Sequence, residues 1–185
     1  MEQSEKGPGE KTGAKAGAKS GAMAGEKAGK KPGVKATKKA GIEDRLRDLF
    51  SKQKLAVLST SEEGHPFTNL VGFTASGDLR HIFFSTNRAT RKYENISKDP
   101  RVSLLIDSRA NRESDFHRAM AVTIMGTAAE IPYDKRPVAE EAMISRLPHL
   151  RDFVLSPTTA VIEVTVHSYC VVTEFQNVHI IEMPQ

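Results

Sequence analysis

"FFSTNRATRKYENISKDPRVSLLI", Phe83 to Ile106, decides the fold class because it joins two apolar runs through a segment of helical composition. Five basic side chains, Arg88, Arg91, Lys92, Lys98 and Arg101, lie between those runs. A nucleic-acid patch, a solvated helix face and a phosphate grip would all use them. The composition of "ATRKYENISK" predicts a short helix with Arg91 and Lys92 in its first turn. A helix N-terminus presents unpaired N–H groups and partial positive charge, so it favours anions and not a pair of cations. Ser85, Thr86 and Thr90 add hydroxyl donors just ahead of that turn. A bound phosphate would accept a planar fork from Arg91 and a point charge from Lys92, which relieves the repulsion. Glu94 and Asp99 interrupt the positive run and Tyr93 is its one aromatic, which disfavours the nucleic-acid reading. By pattern alone, the solvated face and the phosphate grip both stay open.

The flanks read as strands. Upstream, "IEDRLRDLFSKQ" places Ile42, Leu46, Leu49 and Phe50 on one helical face. "KLAVLST", "HPFTNLVGFTAS" and "LRHIFFST" then form a meander, with "SEEG" and "GD" as turns. Downstream come "RVSLLIDS", a polar loop "RANRESDFH", the strand "RAMAVTIMGTAAEI", a helix candidate over 133–146, and the β-branched segments "TAVIEVTVHSYCVV" and "VHIIEM". Six or seven strands joined mostly by hairpins argue against βαβ winding. They predict a mainly β domain, an antiparallel barrel with a few helices, because closure removes exposed edges.

Composition divides the chain into a tail, residues 1–41, and a domain, residues 42–185. The tail holds ten lysines against four glutamates, so the net charge of +4 leaves the domain at −2. Its glycines recur at 9, 13, 17, 21, 25, 29 and 33. A segment so poor in apolar residues cannot offset the entropy of ordering, and we expect disorder. The tail resembles those of linker-histone type. That composition suits weak, salt-sensitive contact with nucleic acid or an anionic surface, but a plain solubilising extension is the preferred reading of so biased a segment. No stretch reaches the roughly 20 apolar residues of a membrane span, nothing resembles a secretory signal, and Cys170 is a single cysteine; a cytoplasmic location is the expectation.

Motif searches narrow the chemistry. There is no G-x-G-x-x-G, P-loop, G-x-S-x-G or H-E-x-x-H. His167 and Cys170 lie three apart on a strand, which places them on opposite faces and leaves no metal site in the reading. No pair of carboxylates is spaced for acid/base work, and catalytic residues stay unknown.

From about Leu55 to Glu130 the chain resembles the FMN-binding split-barrel superfamily that includes pyridoxamine 5′-phosphate oxidase. The resemblance rests on "LAVLST", "GHPFTNLVGFT", "FFSTNRATRKYENISKDPRVSLLI" and "VTIMGTAAEI" in that order. It implies a split β-barrel, a homodimer with FMN at its interface, and an FMN-dependent oxidoreductase. Carried over by position, Arg91 and Lys92 hold the FMN phosphate with Ser85, Thr86 and Thr90 nearby, while Asn69, Leu70 and Val71 lie along the ring and ribityl chain. The resemblance stops at the substrate. The oxidase has basic residues where this chain has Asn69 and Thr74, a Gln where it has Ala121, and a C-terminal R-x-H motif that "VHIIEMPQ" lacks. The substrate is therefore unknown. Three alternatives accompany this expectation: a haem-handling relative using His167 or His179, a deazaflavin in place of FMN, and a non-catalytic flavin-binding module with a nucleic-acid-binding tail.

Overall fold

The computed structural model describes residues 39–174 and 176–184. Residues 1–38, the bulk of the predicted tail, lie outside the described residues. Helix α1, Lys39–Lys52, begins three residues before the predicted 42 and buries Ile42, Leu46, Leu49 and Phe50. Strands β1 (Leu55–Glu62), β2 (His65–Ala75) and β3 (His81–Asn87) form the expected meander, and helix α2 (Arg91–Lys98) follows. Then come β4 (Arg101–Asp107), the one-turn helix α3 (Asp115–Arg118), β5 (Ala121–Glu130), helices α4 (Pro137–Arg146) and α5 (Arg151–Leu155), β6 (Thr159–Thr173) and β7 (Asn177–Glu182).

The strands run in the order β3-β2-β1-β4-β5-β6-β7, and β3 also pairs with β6. That pairing closes an antiparallel barrel of six strands, with β7 as an extra strand on β6. Alternation explains the packing. Leu58, Leu104 and Ile124 point inward and are fully buried, whereas Val57, Leu105 and Thr123 between them face outward. α1 plugs one end: the Phe50 ring stands edge-on to Phe73 at 5.9 Å and lies 6.1 Å from Tyr169. The Tyr169 hydroxyl donates to Leu79 O at 2.6 Å, and burial holds that phenol above its ordinary value.

Two sequence expectations change. The helix candidate over 133–146 divides: Tyr133–Lys135 is a 3₁₀ turn, and α4 begins at Pro137, whose fixed φ suits a first helical position. The loop over 109–117 ends in α3, which takes Arg118 from the segment expected to open the next strand. A β-bulge matters more. Met125 opposes Ser168 and Gly126 opposes Val166, so His167 is an extra residue in β6. Val166 and Tyr169, three apart, are consequently both buried, and the parity rule that separated His167 from Cys170 fails across the bulge. Gly126 permits the close approach, since a Cβ there would stand 2.5 Å from Thr165 O. Among the described residues no group of three His, Cys, Asp or Glu side chains is placed to hold a metal ion.

A smaller apolar cluster, Ala139, Met143, Val154 and Val161, seats α4 and α5 on the outside of β6. Two arginines fix these helices. Arg136 is almost fully buried, pairs with Glu140 at 3.0 Å and donates to Thr159 O at 3.2 Å. Arg146 donates to the carbonyls of Phe50, Ser51 and Gln53, which supplies both donors and positive charge to the C-terminus of α1.

Candidate functional site

The docking of α4 and α5 beside β2 and β3 leaves a cleft of about 260 Å³ at the start of α2. One side is formed by Leu70 and Val71 of β2, Ser85 and Thr86 of β3, and the N-cap Thr90 and Lys92 of α2. Met143, Leu150 and Phe153 from α4, α5 and the segment between them form the other. Six of the eight residues singled out from sequence therefore share one cavity. The three apolar residues opposite were missed, because nothing in a helical pattern near the C-terminus says which strand it will cover. Gly72 sits between the walls, where a Cβ would come within 2.9 Å of Leu147 Cδ1 and 3.3 Å of Leu150 Cδ1.

Thr90 is the N-cap of α2 and makes no side-chain cap hydrogen bond. Its hydroxyl instead donates to Asn87 O at 2.7 Å and lies 2.9 Å from the Thr86 hydroxyl. Thr90 O accepts the N–H groups of Tyr93 and Glu94, whereas those of Arg91 and Lys92 find no acceptor in the helix. The Ser85 hydroxyl donates to Met143 Sδ at 3.3 Å, a weak acceptor that leaves the group readily available.

The five cations separate sharply. Arg88 pairs with Glu130, which also accepts a 2.6 Å hydrogen bond from the Tyr93 hydroxyl. Burial works to raise the Glu130 carboxyl, but the hydrogen bonds from Arg88 and Tyr93 outweigh it and leave it below its ordinary value. Lys98 pairs with Glu94 at 2.8 Å, and Arg101 grips both oxygens of Asp99, at 2.8 and 2.7 Å. Arg91 turns away from the cavity: its Nε and Nη2 donate to Glu62 Oε2 at 3.1 and 2.7 Å, and its guanidinium lies 4.5 Å from the centre of the Phe67 ring. Lys92 has no ion pair or hydrogen bond among the described residues. Burial alone pushes its ammonium below its ordinary value. An unpaired, partly desolvated cation beside free N–H groups and three hydroxyls is a donor set suited to a phosphate.

Asn69 is not brought into this cavity. It opposes Leu58 in the β1–β2 ladder and so shares the inward face, where its Nδ2 is buried without a hydrogen-bond partner. The two histidines weighed for haem also fail to converge. His167 lies 3.1 Å from the Thr127 hydroxyl on the outer face, whereas His179 opposes the buried Val171 and shares the inner face.

A closed six-stranded antiparallel barrel with a cleft at the β3–α2 junction defines the split-barrel class. The chain belongs to the pyridoxamine 5′-phosphate oxidase family, whose model matches residues 42–170. No curated protein matches the chain. Solved structures share the fold at low identity. A putative pyridoxamine 5′-phosphate oxidase from Listeria innocua has a TM-score of 0.56 and 17% identity, covering 71% of this chain and 98% of the other. A haem-binding protein from Mycobacterium smegmatis has a TM-score of 0.66 and 18% identity over 74% of this chain and 55% of the other. An FAD-binding protein from Mesorhizobium loti has a TM-score of 0.58 and 15% identity over 70% and 90%.

Proposed function

We propose that this chain is an FMN-binding flavoprotein and an oxidoreductase whose substrate is still to be identified. The observation that carries this reading is the unpaired Lys92 beside the Ser85, Thr86 and Thr90 hydroxyls at the N-terminus of α2. These groups hold the phosphate, and the backbone of β2 at Leu70 and Val71 runs along the ribityl chain and ring. The bound flavin supplies the electron-transfer chemistry. The protein's part is to anchor the phosphate, exclude water with Met143, Leu150 and Phe153, and present backbone polar groups to the ring edge.

A cavity of about 260 Å³ is slightly below the usual 300–1,000 Å³ of small-molecule sites, which suits a site whose ring end is completed by a second protomer. A surface suited to that role begins at the cleft. Leu70, Val57, Leu105, Thr123, Cys170 and Ile180 stand directly opposite one another across β2, β1, β4, β5, β6 and β7, all facing outward. Leu70 is 68% and Ile180 52% exposed. A row of this length, apolar apart from Thr123, is suited to association, and we assign it to a homodimer.

Purified protein should be yellow or take up FMN with quenching of flavin fluorescence. A protein that stays colourless and leaves FMN fluorescence unchanged refutes the reading. The likeness to the M. smegmatis structure keeps a haem arm in the test. A Soret shift that is abolished by His167→Ala or His179→Ala, with no flavin binding, would replace FMN by haem.

A further inference from the structure

Arg91 is the first residue of α2, next to Lys92, yet its guanidinium is held outside the cleft. Both Nε and Nη2 donate to one carboxylate oxygen of Glu62, at 3.1 and 2.7 Å, and Phe67 lies beneath the guanidinium. Glu62 ends β1, and Phe67 follows on β2 across the hairpin. The other Glu62 oxygen lies 3.6 Å from Lys98 Nζ. A β-hairpin tip thus offers Arg91 the same recognition that a phosphate offers: an anionic oxygen for the planar fork. The Arg91 side chain is 55% exposed and the Glu62 side chain 29%, so the pair is solvated and readily exchanged. The hydrogen bond from Arg91, followed by its charge, holds the Glu62 carboxyl below its ordinary value.

We propose that Glu62 is an internal competitor for the cofactor phosphate, and that it holds Arg91 out of the cleft until a phosphate displaces it. This rests on the FMN reading and deepens it. Arg91 reaches the cleft only by leaving Glu62. A phosphomonoester, with a charge of about −1.5 to −2 at neutral pH, outbids a singly charged carboxylate for the guanidinium. A phosphodiester, with one charge per phosphate, has no such advantage. A phosphodiester therefore leaves the pair in place more readily and is spared part of its cost, while Lys92 and the hydroxyls supply the anchoring common to both.

The test is a fluorescence-quenching titration of FMN, FAD and riboflavin against wild type, Glu62→Gln, Arg91→Ala and the double variant. Glu62→Gln should tighten FMN by about two- to fivefold, the range of an exposed ion pair. It should tighten FAD by no more than that factor, and leave riboflavin, which lacks a phosphate, unchanged. Both gains should vanish in the double variant. Weaker or unchanged FMN binding in Glu62→Gln, or a gain that survives removal of Arg91, overturns the proposal. If none of the three flavins binds wild type, the flavin reading fails, and sulfate then tests the exchange separately. Saturating sulfate should raise the Glu62 carboxyl toward its ordinary value by NMR in wild type and not in Arg91→Ala; an unmoved Glu62 overturns the exchange.

Discussion

Replacing Lys92 with Met should make the empty protein more stable and the flavin complex weaker. Lys92 carries a charge that burial disfavours and that no carboxylate offsets, with its ammonium held below the ordinary value of 10.5. The unfolded chain binds that proton more tightly, so stability rises with pH as the group deprotonates. The destabilisation is fully present below the folded value and gone above 10.5. Methionine is unbranched and only one atom shorter than lysine, and it carries no charge. Because Lys92 is only partly buried, the gain is small, up to about 0.5 kcal/mol, as for other substitutions near the surface. The loss in binding is larger. A charge-assisted hydrogen bond contributes about 1.5–3 kcal/mol, and the low end, suited to a solvated site, weakens FMN by roughly tenfold. Urea denaturation of the flavin-free protein at neutral pH and at pH 11, together with FMN fluorescence titration, measures both effects. A Lys92→Met variant that is less stable than wild type and binds FMN equally well refutes the reasoning, because Lys92 would then be a structural cation and not an anchor.

The bulge, the α1 cap and the outer face can each be tested. Gly126→Ala places a Cβ 2.5 Å from Thr165 O and 2.7 Å from Val164 Cγ1, and should cost about 1–3 kcal/mol in urea denaturation. Arg146→Ala removes the donor from Phe50 O, Ser51 O and Gln53 O; water replaces part of it, so the loss should be about 1 kcal/mol, with faster amide exchange confined to the last turn of α1. Leu70→Asp puts a charge in the exposed apolar row at the edge of the cleft. It should convert a dimer to monomer in sedimentation analysis and weaken flavin binding at the same time; a wild-type monomer would refute the assigned interface.

Barrel closure was legible because each strand carries its own alternation. In β4 every second residue is apolar and buried, in β1 Ala56, Leu58 and the polar Thr60 alternate inward in the same way, and hairpin turns leave few ways to connect such strands. The donor-rich end of the cleft was legible for a similar reason. Ser85, Thr86, Thr90 and Lys92 are neighbours in sequence at a strand–helix junction, so local geometry alone brings them together. Asn69 and Val71 were less separable, since assigning strand residues to a ligand requires the side of the sheet on which it lies. His167 and Cys170 illustrate a sharper limit: one extra residue reverses the parity of a strand, and Gly126, which allows it, looks like any other glycine in sequence.

The sequence by itself determined the antiparallel barrel, the helix after β3 and the concentration of donors at its start, because alternation, turns and helix termini are short-range properties. Only the tertiary structure decided how the five cations are used. Glu130 for Arg88 and Glu62 for Arg91 are 42 and 29 residues distant along the chain, and it is barrel closure that brings them within hydrogen-bonding range. The same packing seats Met143, Leu150 and Phe153 across from β2 and leaves Lys92 without a counter-ion. Charge pairing depends on distance in space, and a lysine free to hold an anion becomes distinguishable from its paired neighbours only once the chain has folded.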